Sequence, residues 1–489
     1  MAGLVTKTGP TRFVFSRLTL RWGVIAYPAP ARIIFHTVAI VTDKNKLLSV
    51  NARLINEGEI VDADVLICGD RIEKIAAGIR AENGVNVIDA AGKYLMPGMV
   101  DDQVHFREPG LTHKGDLATE SAAAAAGGIT SFMDMPNVNP LTTTGDALRD
   151  KYQVAAGRCR SNYGFYMGAT NSNVDQIKAM QIGDACGIKV FMGASTGDML
   201  VDDPDTLGKI FEHAPVMVVT HCEDSPMIWA NEAKARDQYG EDVPFSEHPN
   251  IRSAEACIAS SRMAKDLATR HDALLHILHL TTAIEMDLFS AAHRSQKRIT
   301  AEVCVHHLWF DESSYADKGA LIKCNPAIKK ATDREALIAA LNEGRIDIIA
   351  TDHAPHTAAE KNRSYFGAPA GLPLVQHAVL TLFDLAAAGE ISPELIVERA
   401  CHASADIFGV VDRGYVREDY FADLVIVDPE RPYAVTADNL LSKCQWSPFE
   451  QHTFSSTIDT TIINGQIAYS DGALTGIIAG RRLEFTRAR

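Results

Sequence analysis

Eight apolar runs, most of them ending on polar or ionisable residues, dominate the middle of this chain. They are GMVDDQVHF, ITSFMDMP, YGFYMGA, GIKVFMGA, VMVVTHCE, LLHILHLTT, TAEVCVHHL and DIIATDHAP. Between several of them lie Ala-, Leu- and Glu-rich stretches with helical character, such as ATESAAAAAGG and SAEACIASSRMAKDLATR. A strand buried on both faces reads as an unbroken apolar run, and strands that alternate with helices build parallel sheets. The fold class is therefore α/β. Eight βα units predict a (β/α)8 TIM-type barrel over residues 97–410. A doubly wound open sheet is the rival, because periodicity alone cannot close a barrel.

The ends of the runs carry more information than their middles. Six of the eight finish on His105 with Arg107, on Asn137, on a Ser195-Thr196 loop, on His221, on His279, and on Asp352 with His356. In parallel α/β barrels the carboxyl ends of the strands converge on one face, where active sites sit. A strand held in a core should stay apolar to its end. One polar terminus is noise, but six are hard to explain by packing.

Composition narrows the function. The net charge of -15 argues against a general nucleic-acid binder, which needs a basic face. Nine cysteines without a C-x-x-C pair fit reduced thiols in a cytoplasmic protein. No apolar run reaches the roughly 18 residues that a membrane span needs. The first 46 residues stand apart, with seven Lys/Arg against one acid, Asp43. They are expected to be a leader outside the fold: a poorly ordered tail, a start placed too far upstream, or a targeting segment. Residues 47–96 and 411–489 read as short strands split by turns, with Asn-Gly and Asp-Gly signals near the end.

Taken singly, the candidate residues have ordinary readings beside functional ones. His221 and His279 are either polar residues satisfied at strand ends or metal ligands. His276 and His279 differ by three, so they face opposite sides of one strand, and His279 lies nearer the end. His276 is read as structural. Asp352 follows the apolar DIIAT and is either a turn acid or a buried carboxylate needing a metal or a proton. Lys189 either snorkels to water or loses its charge, since an ammonium has no lone pair to offer a metal.

Together these residues resemble the cyclic amidohydrolases of the amidohydrolase superfamily, and within them the dihydroorotases. HFREPGLTHK, MDMPNVNP, GIKVFMG, THCE, HILHLTT, EVCVHHL, KCNPAIK and ATDHAPH stand in family order, from about Leu47 to about Gly472. The resemblance implies a distorted (β/α)8 barrel with a small β-sandwich built from both chain ends. It implies a zinc site with His105, carboxylated Lys189, His221, His279 and Asp352 as ligands. Lys189 would bridge one position using His221 and His279 and another using His105 and Asp352. It further implies that Arg107, Asn137 and His356 hold a substrate carboxylate and that Asn325, otherwise a turn residue before Pro326, contacts the ring amide. Asp352 would also move the proton in catalysis. The implied reaction is the reversible closure of N-carbamoyl-L-aspartate to L-dihydroorotate in pyrimidine synthesis. The expected partners are that small substrate and further copies of the chain, with neither nucleic acid nor membrane.

Two other readings stay open. One is a sibling hydantoinase, dihydropyrimidinase or allantoinase, whose substrates lack the ring carboxylate. The other is an inactive dihydroorotase-like scaffold bound to aspartate transcarbamoylase. Gln103 keeps the second alive, because it stands where relatives carry the first histidine of His-x-His. An amide is a poor zinc ligand beside imidazole. The expectation is one tightly held zinc, with the second weak or absent. GASTGDMLV, at 193–201, and FGAPAGLP, at 366–373, are Gly-rich loops that either border the pocket or merely connect.

Overall fold

The computed structural model describes residues 46–193 and 199–486. Five short strands open this part: β1 (Lys46–Asn56), β2 (Glu59–Cys68), β3 (Arg71–Ala76), β4 (Asn86–Asp89) and β5 (Tyr94–Pro97). The middle supplies β6 (Met99–Val104), β7 (Ile129–Asp134), β8 (Asn162–Phe165), β9 (Met167–Gly168), β10 (Ile188–Phe191), β11 (Val218–His221), β12 (Leu275–Ile277), β13 (Ile299–Cys304) and β14 (Ile348–Ala350). The end adds β15 (Leu424–Asp428), β16 (Tyr433–Ala434), β17 (Thr453–Phe454), β18 (Thr457–Ile463), β19 (Gln466–Ser470) and β20 (Ala473–Leu474).

Both ends of the described chain meet in one nine-stranded sheet, ordered β20-β19-β18-β15-β5-β1-β2-β3, with β4 on β1. Its turns follow from their residues. Asn464-Gly465 (φ 49° and 73°) joins β18 to β19, and Asp471-Gly472 (φ 52° and 79°) joins β19 to β20. Two consecutive left-handed residues match the twist of a tight hairpin, and Asn-Gly and Asp-Gly adopt them at low cost. Gly465 has a second reason: a Cβ there would meet Gly69 O at 2.0 Å.

The middle strands pair in parallel, as β6-β7-β8 and as β14-β13-β12-β11-β10-β9, and all eight apolar runs of the sequence contribute to them. Parallel pairing needs long crossovers, and helices such as Leu117–Ala126, Ser225–Tyr239 and Ala254–His271 provide them. Every residue of β6, β7, β10 and β11 is buried, as expected of strands covered on both faces. Past the last strand, Val104 bridges His353 in parallel, bringing the far edge of the six-stranded sheet to β6.

One helix shows how local chemistry serves this arrangement. Asp116 caps Leu117–Ala126 by accepting from Ala118 N and Thr119 N. The alanine run lets the helix lie close to its neighbours. Its one buried acid, Glu120, accepts from Ser442 Oγ at 2.5 Å, from Lys443 N at 3.0 Å and from His353 Nε2 at 2.9 Å. Among the described residues no helix is long and apolar enough to cross a membrane.

Candidate active site

The carboxyl ends of the parallel strands open onto a cavity of about 170 Å3. All nine residues nominated by the sequence line it: His105, Arg107, Asn137, Lys189, His221, His279, Asn325, Asp352 and His356. Gln103 joins them, as do Pro369, Ala370 and Gly371 of the FGAPAGLP loop, which therefore borders the pocket. The Ser195-Thr196 loop lies outside the described residues. His276, read as structural, is wholly buried and does not line the cavity.

Three of these residues hold left-handed backbones: Arg107 (φ 70°), His279 (φ 41°) and Asp352 (φ 49°). Each costs on the order of 1 kcal/mol for a residue with a Cβ, and such strain gathers where side chains must be aimed. Each falls just past a buried run, where the chain turns its side chain into the cavity.

Two pairs of metal-competent atoms result. In the first, His221 Nδ1 lies 3.0 Å from His279 Nε2, with the rings nearly perpendicular. His221 Nε2 lies 2.9 Å from Glu223 Oε2. Burial acts to raise Glu223, but Arg252 and His221 outweigh it and hold the carboxyl at about 2. Glu223 is thus a carboxylate that accepts from Nε2–H, leaving the Nδ1 lone pair of His221 aimed at the cavity. Burial keeps His221 below its ordinary value and His279 well below it, so both stay neutral. His279 Nδ1 is buried without a hydrogen-bond partner.

In the second pair, His105 Nε2 lies 3.1 Å from Asp352 Oδ1. His105 Nδ1 lies 2.7 Å from Asn137 Oδ1, so the N–H points at the amide and the Nε2 lone pair faces the carboxylate. Two lone pairs face to face call for a cation between them. Burial acts to raise Asp352, but the proximity of His105 holds it below the ordinary carboxylate value. Asn137 is engaged with His105 through its oxygen, which leaves its N–H groups to reach a substrate. Gln103 Nε2 donates to Asp352 Oδ1 at 3.1 Å, and Cys304 Sγ lies 3.8 Å from Gln103 Oε1.

Lys189 is fully buried, and its Nζ has no hydrogen-bond partner. Burial pulls the amine down to about 8, against the upward pull of Asp352 and Glu302. A buried amine with nothing to donate to, and with an appreciable neutral fraction at pH 7, is chemically suited to become a carbamate. That conversion would turn a stranded donor into an anionic ligand. The donor set of nitrogen and carboxylate oxygen, with this orphaned atom, fits divalent zinc.

A third group lies at Arg107. Its Nη2 is 3.1 Å from His356 Nε2, and its Nε donates to Pro355 O at 3.2 Å. Lys114 Nζ donates to His356 Nδ1 at 3.0 Å, so His356 keeps its hydrogen on Nε2 and donates to Ala370 O at 3.0 Å. Burial, then Arg107 and Lys114, hold His356 far below its ordinary value and uncharged. The Arg107 guanidinium thus lies against a neutral His356 whose N–H is given to Ala370 O, and among the described residues it has no carboxylate partner. Gly371 (φ 138°) lets the loop pass close by, since a Cβ there would meet Ala354 O at 2.4 Å. Asn325 Oδ1 is likewise buried without a partner.

Sequence reasoning missed Glu223 and Lys114. Glu223 stood in the quoted THCE motif, two residues after His221, which was the available signal. Lys114 closed the quoted HFREPGLTHK motif, but its contact with His356, 242 positions away, carried no signal there.

Fold and site together define a parallel α/β framework whose strand carboxyl ends gather two imidazole-bearing pairs around a buried lysine. Residues 94–468 match the Amidohydrolase family, and the chain belongs to it. It is 34% identical to a dihydroorotase of Halobacterium salinarum over 82% of this chain and 92% of that protein. It is 31% identical to an allantoinase of Bacillus velezensis over 86% and 93%. The fold is similar to that of the L-hydantoinase (dihydropyrimidinase) from Arthrobacter aurescens, with a TM-score of 0.85 and 25% identity, over 90% of this chain and all of that one. The resemblance carried by the motifs is borne out.

Proposed function

We propose that the protein is a zinc-dependent dihydroorotase, which interconverts N-carbamoyl-L-aspartate and L-dihydroorotate in pyrimidine synthesis. One observation carries the choice among cyclic amidohydrolases: the Arg107 guanidinium at the cavity wall, 3.1 Å from His356 and without a carboxylate partner among the described residues. A permanently charged, planar guanidinium suits a carboxylate. Dihydroorotate has one on its ring; hydantoin, dihydrouracil and allantoin do not. The H. salinarum relative is named for this activity, while the B. velezensis relative at similar identity is named for another.

In this reading His221, His279 and Lys189 as a carbamate would hold one zinc, and His105 and Asp352 would contribute to a second, weaker position. Zinc would supply a Lewis acid that polarises the amide carbonyl and makes water a nucleophile near neutral pH. The chain's own groups do the rest. Arg107, the Asn137 amide and His356 fix the ring carboxylate, and Asn325 takes the ring amide edge. Asp352 accepts the proton of the attacking water. The water oxygen bonds to the ring carbonyl carbon, the carbon–nitrogen bond breaks, and Asp352 returns the proton to the leaving nitrogen. Glu223 keeps His221 in one tautomer throughout.

The same reading closes the eight parallel runs into a (β/α)8 barrel, supported by the Val104–His353 bridge, with the nine-stranded sheet of the chain ends as its β-sandwich companion. A substrate panel tests the assignment. Dihydroorotate should be turned over with kcat/KM at least about 100-fold above hydantoin, dihydrouracil and allantoin, as expected when a site built for a charged group meets substrates lacking it. Preference for any of the three uncharged rings would overturn it.

A further inference from the structure

A second cluster of ligating side chains lies one hydrogen bond from the cavity, and the hydrolytic reading leaves it unused. Asp102 on β6, His276 on β12 and Glu302 on β13 are each completely buried. Their ligand atoms all lie within 4.8 Å of one another. His276 Nε2 is 3.4 Å from Asp102 Oδ2 and 3.3 Å from Glu302 Oε2. The other oxygen of Glu302 accepts from His279 N at 3.1 Å, which links the cluster to the active-site histidine.

Inside the triad His276 Nε2 lies within hydrogen-bond reach of Glu302 Oε2, while Asp102 has no hydrogen bond of its own. His276 Nδ1 lies 2.8 Å from Thr300 Oγ1, whose own hydrogen goes to Leu275 O at 3.3 Å. The threonine oxygen is therefore the acceptor and Nδ1 carries a proton, so in the neutral ring Nε2 presents a lone pair to the carboxylates. Both carboxylate oxygens of Asp102 are enclosed without a hydrogen bond. Tyr166 could have supplied one, but its hydroxyl donates to the backbone O of Asp102 at 2.8 Å. An unbonded carboxylate in a closed interior needs a cation or a proton.

The spacing admits a cation. The two contacts of His276 Nε2, at 3.3 and 3.4 Å, are longer than the ~2.7–2.9 Å of a charge-assisted hydrogen bond. Ligands held about 2.0–2.2 Å from a tetrahedral ion sit about 3.3–3.6 Å apart. A divalent ion would cancel the charge of both carboxylates and leave the imidazole neutral. Burial opposes a charge on His276, yet Asp102 and Glu302 push it up to about 9, a sign of how negative the enclosure is without a cation.

We infer that Asp102, His276 and Glu302 bind a divalent transition-metal ion of the zinc class, at a structural site separate from the active-site ligands. One imidazole and two carboxylates, with no sulfur, suit this class. The ion ties β6, β12 and β13 together and fixes Glu302, which in turn holds the backbone of His279. It stands whether or not dihydroorotate is the substrate.

The test is zinc content in a chain whose active-site position is impaired. Full-length His221→Asn/His279→Asn protein is loaded with zinc, treated with EDTA, desalted and analysed by mass spectrometry. About one zinc per chain should remain, because an ion enclosed in a buried site exchanges only as the fold opens, and adding Asp102→Asn should remove it. Absence of zinc before the third substitution, or equal zinc after it, overturns the inference. Should a variant fail to fold, crystals of the unaltered chain answer the question at the zinc absorption edge. An anomalous peak among Asp102, His276 and Glu302 supports the site, and its absence after zinc soaking overturns it.

Discussion

Gln103 Nε2 and His105 Nε2 lie at the same distance, 3.1 Å, from one atom, Asp352 Oδ1. The glutamine thus presents an N–H, not a lone pair, to the carboxylate, and competes for the oxygen that a cation beside His105 would need. Gln103→His replaces that donor with an imidazole able to ligate. Zinc content should rise by about one per chain relative to unaltered protein prepared in parallel, with the gain abolished in a His105→Asn background. Unchanged zinc in Gln103→His would refute the view that this half of the site is weakened by glutamine.

Asp352 is the proton carrier of the proposed reaction, and its left-handed backbone (φ 49°) fixes where its oxygens point. Asparagine keeps the shape and loses the base. Turnover of Asp352→Asn should fall by about 10²–10⁴-fold, the usual contribution of general acid–base catalysis, with circular dichroism unchanged. Near-normal activity would remove Asp352 from the mechanism.

Arg107 offers a test of specificity rather than of chemistry. Arg107→Lys keeps the charge and loses the planar fork that meets a carboxylate through two bonds. KM for dihydroorotate should rise about 10–100-fold, a loss of roughly 1.4–3 kcal/mol, with a smaller change in kcat. Any slow turnover of dihydrouracil should be unaffected. Equal losses on both substrates would mean that Arg107 supports the fold of the pocket instead of the ring carboxylate.

What was legible in the sequence was what repeats or what stands at a boundary. The eight apolar runs are legible because burial on both faces forbids polar interruptions. His105, His221, His279 and Asp352 are legible because each breaks that rule at the end of a run. Asn464-Gly465 and Asp471-Gly472 announce their hairpins through backbone preference alone. Contacts made across large sequence separations are not legible. Lys114 reaches His356 over 242 positions, and Gln103 reaches Asp352 over 249. Which atom of the Gln103 amide faces the acid depends on a rotamer set by Cys304 and Asp352, not on spacing. The Asp102–His276–Glu302 triad escaped for the same reason: Asp102 on β6 lies far along the chain from His276 on β12 and Glu302 on β13.

Glu360 gives a pH test of the loop that carries His356. Its carboxylate accepts from Thr357 N at 2.9 Å and Thr357 Oγ1 at 3.0 Å, and pairs with Lys114 Nζ at 3.1 Å. It thereby caps the short helix Ala358–Lys361 and steadies the lysine that reaches His356. Burial acts to raise this acid, but Thr357 and Lys114 outweigh it and hold it at about 2, below the ordinary 4.5. An acid depressed in the folded state stabilises it above its unfolded value and loses that contribution as pH falls through the folded one. The window runs from about pH 4.5 down to about 2. Allowing for partial solvent screening, the contribution is about 1–2 kcal/mol. Glu360→Gln should therefore lower the urea midpoint at neutral pH, and the gap to the unaltered protein should narrow by roughly half by about pH 3. A gap that stays constant across that window would show that Glu360 acts by packing rather than by charge.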